Sequence, residues 1–170
     1  MIIILSGLNK SGKTTLANKI KELGKFEYIK CSQPKIENGK NYAFEEYMGI
    51  LDKIDKDKNY IIDRFHFGSF VYGPLYRNKE DFSLDCFYKI EERLLELDTL
   101  LILCIASDKF LIKKYQEENE EFAKLELISQ EKELFKKIAK ISRLEIINHS
   151  IPIKDNTYKI INLIKKNICE

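Results

Sequence analysis

Eight consecutive residues near the N-terminus, Gly7-Leu8-Asn9-Lys10-Ser11-Gly12-Lys13-Thr14, set two glycines, two lysines and a hydroxyl in the spacing G-x-x-x-x-G-K-[ST]. That spacing does phosphate chemistry. Glycines at positions 7 and 12 open backbone angles closed to other residues, so successive N–H groups can turn inward around a β-phosphate. A helix starting at Lys13 would add the partial positive charge of its N-terminus. Lys13 would bridge β- and γ-phosphates, Thr14 would offer its hydroxyl to Mg²⁺, and Thr15 would reach an α-phosphate. Gly7, Asn9, Lys10, Ser11, Gly12, Lys13, Thr14 and Thr15 are the expected nucleotide-binding set.

A second cluster lies in Lys58-Asn59-Tyr60-Ile61-Ile62-Asp63-Arg64-Phe65-His66. An acid and an arginine stand at the carboxyl end of an apolar run, the end that faces the ligand crevice of an open α/β sheet. Asp63 there can accept hydrogen bonds from magnesium-bound water or from an acceptor phosphate, which makes Thr14 and Asp63 the metal candidates. Arg64 can clamp a phosphoryl group with its planar fork of donors. The plain alternative is an aspartate capping the next turn with a surface arginine beside it. His66 either contacts phosphate or only holds the loop.

The elements that must position these residues can be read from apolar bursts. Ile2 to Leu5, Tyr28 to Cys31, Tyr60 to Ile62, Leu100 to Ile105 and Leu144 to Ile147 are short and rich in β-branched residues, and read as five buried strands. Helical spacing runs over Lys13 to Leu23, Phe44 to Ile54, Leu84 to Leu97, Lys109 to Gln116, Leu125 to Ile141 and Tyr158 to Ile168. Pro34, Pro74 and Pro152 fall in inferred loops. Alternation of strands and helices predicts an α/β fold: a five-stranded parallel sheet in the order 2-3-1-4-5, with helices on both faces. Residues 1–170 read as one domain with a short lid near 115–124; no repeat or linker divides them.

With both motifs in place, the chain resembles the thymidylate kinase branch of P-loop nucleoside and nucleotide kinases. In bacterial members the Asp-Arg pair is followed by S-x-x-A-Y-x-G, and here Gly68-Ser69-Phe70-Val71-Tyr72-Gly73 stands in that place. Tyr72 falls on the family tyrosine; the serine is displaced by one, to Ser69. The longer string through Pro74-Leu75-Tyr76-Arg77 is similar to compact thymidylate kinase-like proteins of bacterial viruses. The resemblance implies transfer of the ATP γ-phosphoryl group, with Mg²⁺, to a deoxynucleoside monophosphate. Lys13, Lys10, Asp63 and Arg64 would be catalytic, and Asp63, Arg64, His66, Tyr72 and Arg77 would hold the substrate. It also implies a homodimer. Alternatives are the same chemistry on a nucleoside hydroxyl or on a hydroxymethylated base in DNA, and a nucleotide switch without transfer.

Only four arginines occur, Arg64, Arg77, Arg93 and Arg143. Arg93 and Arg143 have acidic neighbours at helical spacing and read as surface ion-pair partners. The lid segment Gln116 to Phe122 is acidic and carries no arginine. Related enzymes of one subclass place an arginine at the third position after the first loop glycine, where this chain has Lys10; lysine supplies charge without the fork. Lys113 and Lys114 are further cationic candidates. Tyr42, Phe44, Tyr47, Phe67, Phe70, Tyr72 and Tyr76 could each stack on a base or simply pack, and His149 could edge the donor base. Asn78-Lys79-Glu80-Asp81 spells a guanine-reading N-K-x-D but lacks the preceding apolar strand, so it reads as a polar turn. Glu117 to Glu121 reads as a solvated segment, not a metal site.

Composition agrees with an enzyme that binds one small anion locally. With 170 residues, 44% hydrophobic and 33% charged, a core of ordinary size can form, and nothing in a formal charge of +2 suggests a polyanion-coating surface. Four scattered cysteines, Cys31, Cys86, Cys104 and Cys169, form neither a zinc pattern nor a disulfide framework. The longest apolar run, Leu100 to Ala106, is far short of a membrane span. These features predict a cytoplasmic protein without membrane contact, whose partner is a small nucleotide.

Overall fold

The computed structural model describes residues 1–38, 40–77, 82–117, 125–151 and 154–168. Seven strands and seven α-helices lie along them. They are β1 (Ile2–Gly7), α1 (Lys13–Lys21), β2 (Phe26–Lys30), β3 (Ile36–Glu37), β4 (Lys40–Asn41), α2 (Ala43–Leu51), β5 (Asn59–Asp63), α3 (His66–Arg77), α4 (Leu84–Leu95), β6 (Thr99–Ala106), α5 (Asp108–Glu117), α6 (Ile128–Ile141), β7 (Glu145–Ile151) and α7 (Lys154–Ile168). One 3₁₀ turn, Leu125–Leu127, leads into α6.

Five strands form a parallel sheet in the order β2-β5-β1-β6-β7. Counted within that sheet, this is the predicted 2-3-1-4-5. The central strands are apolar through Ile2–Leu5, Tyr60–Ile62 and Leu100–Ala106 because both sheet faces are covered there. Ile2 and Ile4 of β1 join a core with α2 to α6, while Ile3 and Leu5 join one with α1 and α7. Alternating side chains therefore serve two layers of helix. Register sets Leu5 opposite Asp63 and Gly7 opposite Cys104, which brings the carboxyl ends of β1 and β5 side by side.

Two expectations are corrected. The two outer strands are not buried: β2 has no buried residue, with Glu27 and Lys30 exposed, and β7 is partly exposed over residues 145–150, since each is an edge strand. Residues 66–77, read as loop, form α3 despite Gly68, Gly73 and Pro74. Packing overrides the low propensity, because Phe67, Ser69 and Val71 are buried while Pro74 sits on the exposed side, where water can satisfy the carbonyl it leaves unpaired. A small antiparallel pair, β3 with β4, was also unforeseen, although Asn38-Gly39 is a strong hairpin signal.

Pro152, the Asn78 to Asp81 turn, Cys169 and positions 118–124 of the lid segment lie outside the described residues. Within them, the start of that segment, Tyr115 to Glu117, is the end of α5. No helix among the described residues is long and apolar enough to cross a membrane.

Candidate active site

The loop from Gly7 to Gly12 is shaped by contacts only glycine permits. Gly7 has φ 120°, and a Cβ there would lie 1.9 Å from the Cys104 carbonyl oxygen. Gly12 has φ 83° and precedes α1, whose first turn has neither a side-chain cap nor an acidic residue. Its leading N–H groups are thus left to an incoming anion. Ser11 does not line the cleft: it is fully buried, and its hydroxyl donates to the Leu8 carbonyl at 2.6 Å. Gly7 and Ser11 build the loop, and their neighbours face the ligand space.

Lys13 is buried and donates to the carbonyls of Leu8 (2.5 Å) and Gly7 (3.1 Å). Burial lowers its pKa to about 8, with Arg64 adding to the fall and Asp63 and Glu131 opposing it. Cys104 behind it is pushed up to about 12 by burial, so it is a packed thiol and not a nucleophile.

At the end of β5, Asp63 is buried, and its Oδ2 accepts a hydrogen bond from the Tyr28 hydroxyl at 2.6 Å. Oδ1 is buried without a hydrogen-bond partner. Arg64 follows in the left-handed region at φ 66°, unusual for a side-chain-bearing residue, with its N–H bonded to the Leu5 carbonyl at 2.9 Å. This bend aims the guanidinium back to the loop, where Nη2 donates to Asn9 Oδ1 at 2.8 Å. Lys10 is likewise left-handed, at φ 59°.

Two clefts meet at the Arg64–Asn9 pair. The first is polar: Lys10, Gly12, Lys13, Thr14 and Thr15 line it with Asp63, Lys30 of β2, and Phe110 and Lys114 of α5. The second is aromatic: Tyr47 of α2, Phe65, Tyr72, Tyr76 and Tyr115 line it, with Ser32, Gln33, Pro34, Gly68, Ser69 and Arg77. Asn9 and Arg64 belong to both. Among the described residues lining the aromatic cleft there is no aspartate, glutamate, histidine or lysine, while Arg64 and Arg77 supply positive charge.

Of the residues singled out in the sequence, Asn9, Lys10, Gly12, Lys13, Thr14, Thr15, Asp63 and Arg64 converge on the polar cleft, and Tyr72 and Arg77 on the aromatic one. His66 does not join them. It is wholly buried, ringed by Phe65, Phe67 and Phe87, with Nε2 3.6 Å from Glu91 Oε1. Direct contact with a phosphate is not what this position offers, because α3 begins at His66 and turns the ring into the core. Phe67 is also core, and Tyr42 has Lys40 over its ring. His149 lies within β7, buried, instead of in a loop after it. Arg93 and Arg143 are surface ion-pair partners of Glu96 and Glu92. Lys114 lines the polar cleft and pairs with Glu117 at 3.1 Å, and Lys113, exposed, pairs with the same carboxylate at 3.7 Å.

Several site residues carry no local signal. Glu131 of α6 is buried, accepts a hydrogen bond from the Tyr76 hydroxyl, and has its pKa raised by burial despite that bond and nearby Lys13. Tyr28, Lys30, Gln33 and Tyr115 are also brought in only by folding. The Tyr47 hydroxyl and Ser69 Oγ pair at 2.7 Å on the cleft wall, so the displaced serine has a place of its own.

Fold and loop together define a P-loop protein with the architecture of thymidylate kinase-like enzymes. No protein-family model matches the sequence, and no curated protein is detectably similar to it. Solved structures are similar in fold. YorR from Bacillus subtilis, in complex with phosphorylated GDP, superposes with a TM-score of 0.82 at 21% identity over 100% of this chain and 99% of that one. Thymidylate kinase from Candida albicans gives 0.63 at 17% identity, over 98% and 92%. Deoxyadenosine kinase from M. mycoides with bound dCTP gives 0.62 at 16%, over 98% and 100%.

Proposed function

We propose that this chain is an ATP-dependent nucleotide kinase that converts a deoxynucleoside monophosphate of the thymidylate type to the diphosphate. The observation that carries the reading is the meeting of the two clefts at Arg64 and Asn9. A donor phosphate chain fits the polar cleft over Lys13 and the start of α1, and a planar base fits among the tyrosines of the other. The transferred group then lies at the junction, where Arg64, Lys13 and Lys10 offset charge on its equatorial oxygens.

The aromatic cleft also bears on the acceptor. A hydroxyl acceptor needs a base to take its proton; the described residues lining the aromatic cleft supply none, so such an acceptor would have to use Asp63 across the junction, in the polar cleft. A monophosphate arrives already ionised and needs cations instead, which Arg64 and Arg77 supply. Fold similarity to kinases acting on nucleotides and deoxynucleosides supports the class. Their diverse nucleotides do not carry a base identity over to this chain.

Magnesium fits the residues present. Thr14 offers a hydroxyl at the cleft, and the unpartnered Oδ1 of Asp63 is an oxygen acceptor with no protein donor. Mg²⁺ is held in such sites by few protein oxygens together with water and substrate phosphates. When bound it would neutralise phosphate charge; Thr14 would hold it and Asp63 would accept from its water.

The test is a transfer screen with labelled ATP against nucleosides, nucleoside monophosphates and DNA with hydroxymethylated bases. Label on a deoxynucleoside monophosphate is the expected result. Label confined to nucleosides or to DNA overturns the acceptor assignment while leaving the donor site intact.

A further inference from the structure

The edge strand β2 carries nothing that sequence motifs flag, yet it makes the shortest polar contact to the site's buried acid. The Tyr28 hydroxyl donates to Asp63 Oδ2 at 2.6 Å, within the range of about 2.5–2.7 Å for an O–H bonded to a carboxylate. The ring is itself held, with the Lys21 ammonium 3.9 Å from its centroid.

A carboxylate at a strand end can rotate to present either oxygen, and rotation spreads its acceptor positions. Tyr28 removes that freedom. One oxygen is tied toward β2, and the other is buried without a hydrogen-bond partner in a side chain that lines the polar cleft. We propose that Tyr28 is a positioning residue, whose hydroxyl orients Asp63 so that Oδ1 faces the metal–nucleotide complex. The role rests on the kinase reading above. Tyr28 touches neither substrate nor metal; it acts through Asp63.

The experiment is calorimetric binding of a non-hydrolysable ATP analogue to the full chain, with and without Mg²⁺. Wild type is compared with Tyr28→Phe, Asp63→Asn and the double variant. Loss of an outer contact that orients a metal-site ligand typically costs about 10- to 100-fold in metal affinity, so Tyr28→Phe should cut the magnesium-dependent gain in affinity about tenfold. Metal-free affinity should stay near wild type, because the ring and its packing remain, while the melting temperature falls by the few degrees that a donor lost from a buried carboxylate costs. In the Asp63→Asn background, Tyr28→Phe should add nothing.

An unchanged magnesium-dependent gain overturns the role. So does an equal loss with and without metal, which marks a merely structural tyrosine, or additive effects of the two variants, which mark independent action. A wild-type chain that binds no nucleotide under either condition overturns the kinase reading itself, so the two failures are told apart.

Discussion

The polar and aromatic clefts share Asn9 and Arg64 but are built in opposite ways. The polar cleft takes five of its lining residues from Lys10 to Thr15, whereas the aromatic one draws on the loop after β2, on α2, on α3 and on the end of α5. One is a backbone cradle whose shape depends on two glycines. The other is a set of rings held by packing. Phosphate is the same in every nucleotide, so a short run of chain can serve it; a base and sugar have a shape, and a pocket for them needs walls from several elements.

The largest effect belongs to the polar cleft. Lys13→Ala should lower turnover at least about 100-fold, about 2.7 kcal/mol or more, since the ammonium meets charge that moves during transfer. Near-normal turnover with unchanged melting would remove Lys13 from the chemistry and make the loop a binding element alone. Steady-state kinetics and a thermal melt on the same preparation decide this.

Arg64→Lys tests the shared boundary. Charge is retained while the fork that reaches Asn9 is lost, so kcat/KM for the monophosphate should fall about 30-fold, about 2 kcal/mol. ATP affinity should change much less. Equal losses on both substrates would mean that the junction is structural and that the two clefts are not separately addressable.

Tyr76→Phe should act on the aromatic cleft only. Removing the hydroxyl takes a donor from buried Glu131 and should raise the monophosphate KM by about 1 kcal/mol equivalent, roughly fivefold, with the KM for ATP unchanged. A shift confined to ATP would place Glu131 with the phosphates through Lys13.

The smallest effect lies in the core at the start of α3. Burial holds the pKa of His66 below the ordinary imidazole value, so the unfolded chain binds its proton more readily than the folded one. Stability from this residue is therefore present above about pH 6.5 and is lost as pH falls below it. Denaturant melts between about pH 7.5 and about pH 5.5 should show that loss, and His66→Gln should flatten it. A profile unchanged in the variant would assign the acid sensitivity to other groups.

Much of this molecule was legible in the chain. Apolar bursts and helical spacing gave the sheet and its order, because a strand covered on both faces must be apolar throughout, and right-handed crossovers leave few topologies. The loop at Gly7 to Thr14 was readable because its geometry is local: glycines, a lysine and a helix start act within eight residues. Helix α3 was not. Its glycines, Pro74 and aromatic residues argue against a helix until Phe67 and Val71 find a core to enter. That helix turns His66 inward and carries Tyr72, Tyr76 and Arg77 to the cleft. Tyr28 meets Asp63 across 35 positions, and Tyr76 meets Glu131 across 55. Backbone chemistry recurs wherever its short sequence does, whereas a contact between distant side chains exists only after the sheet and helices have set them side by side.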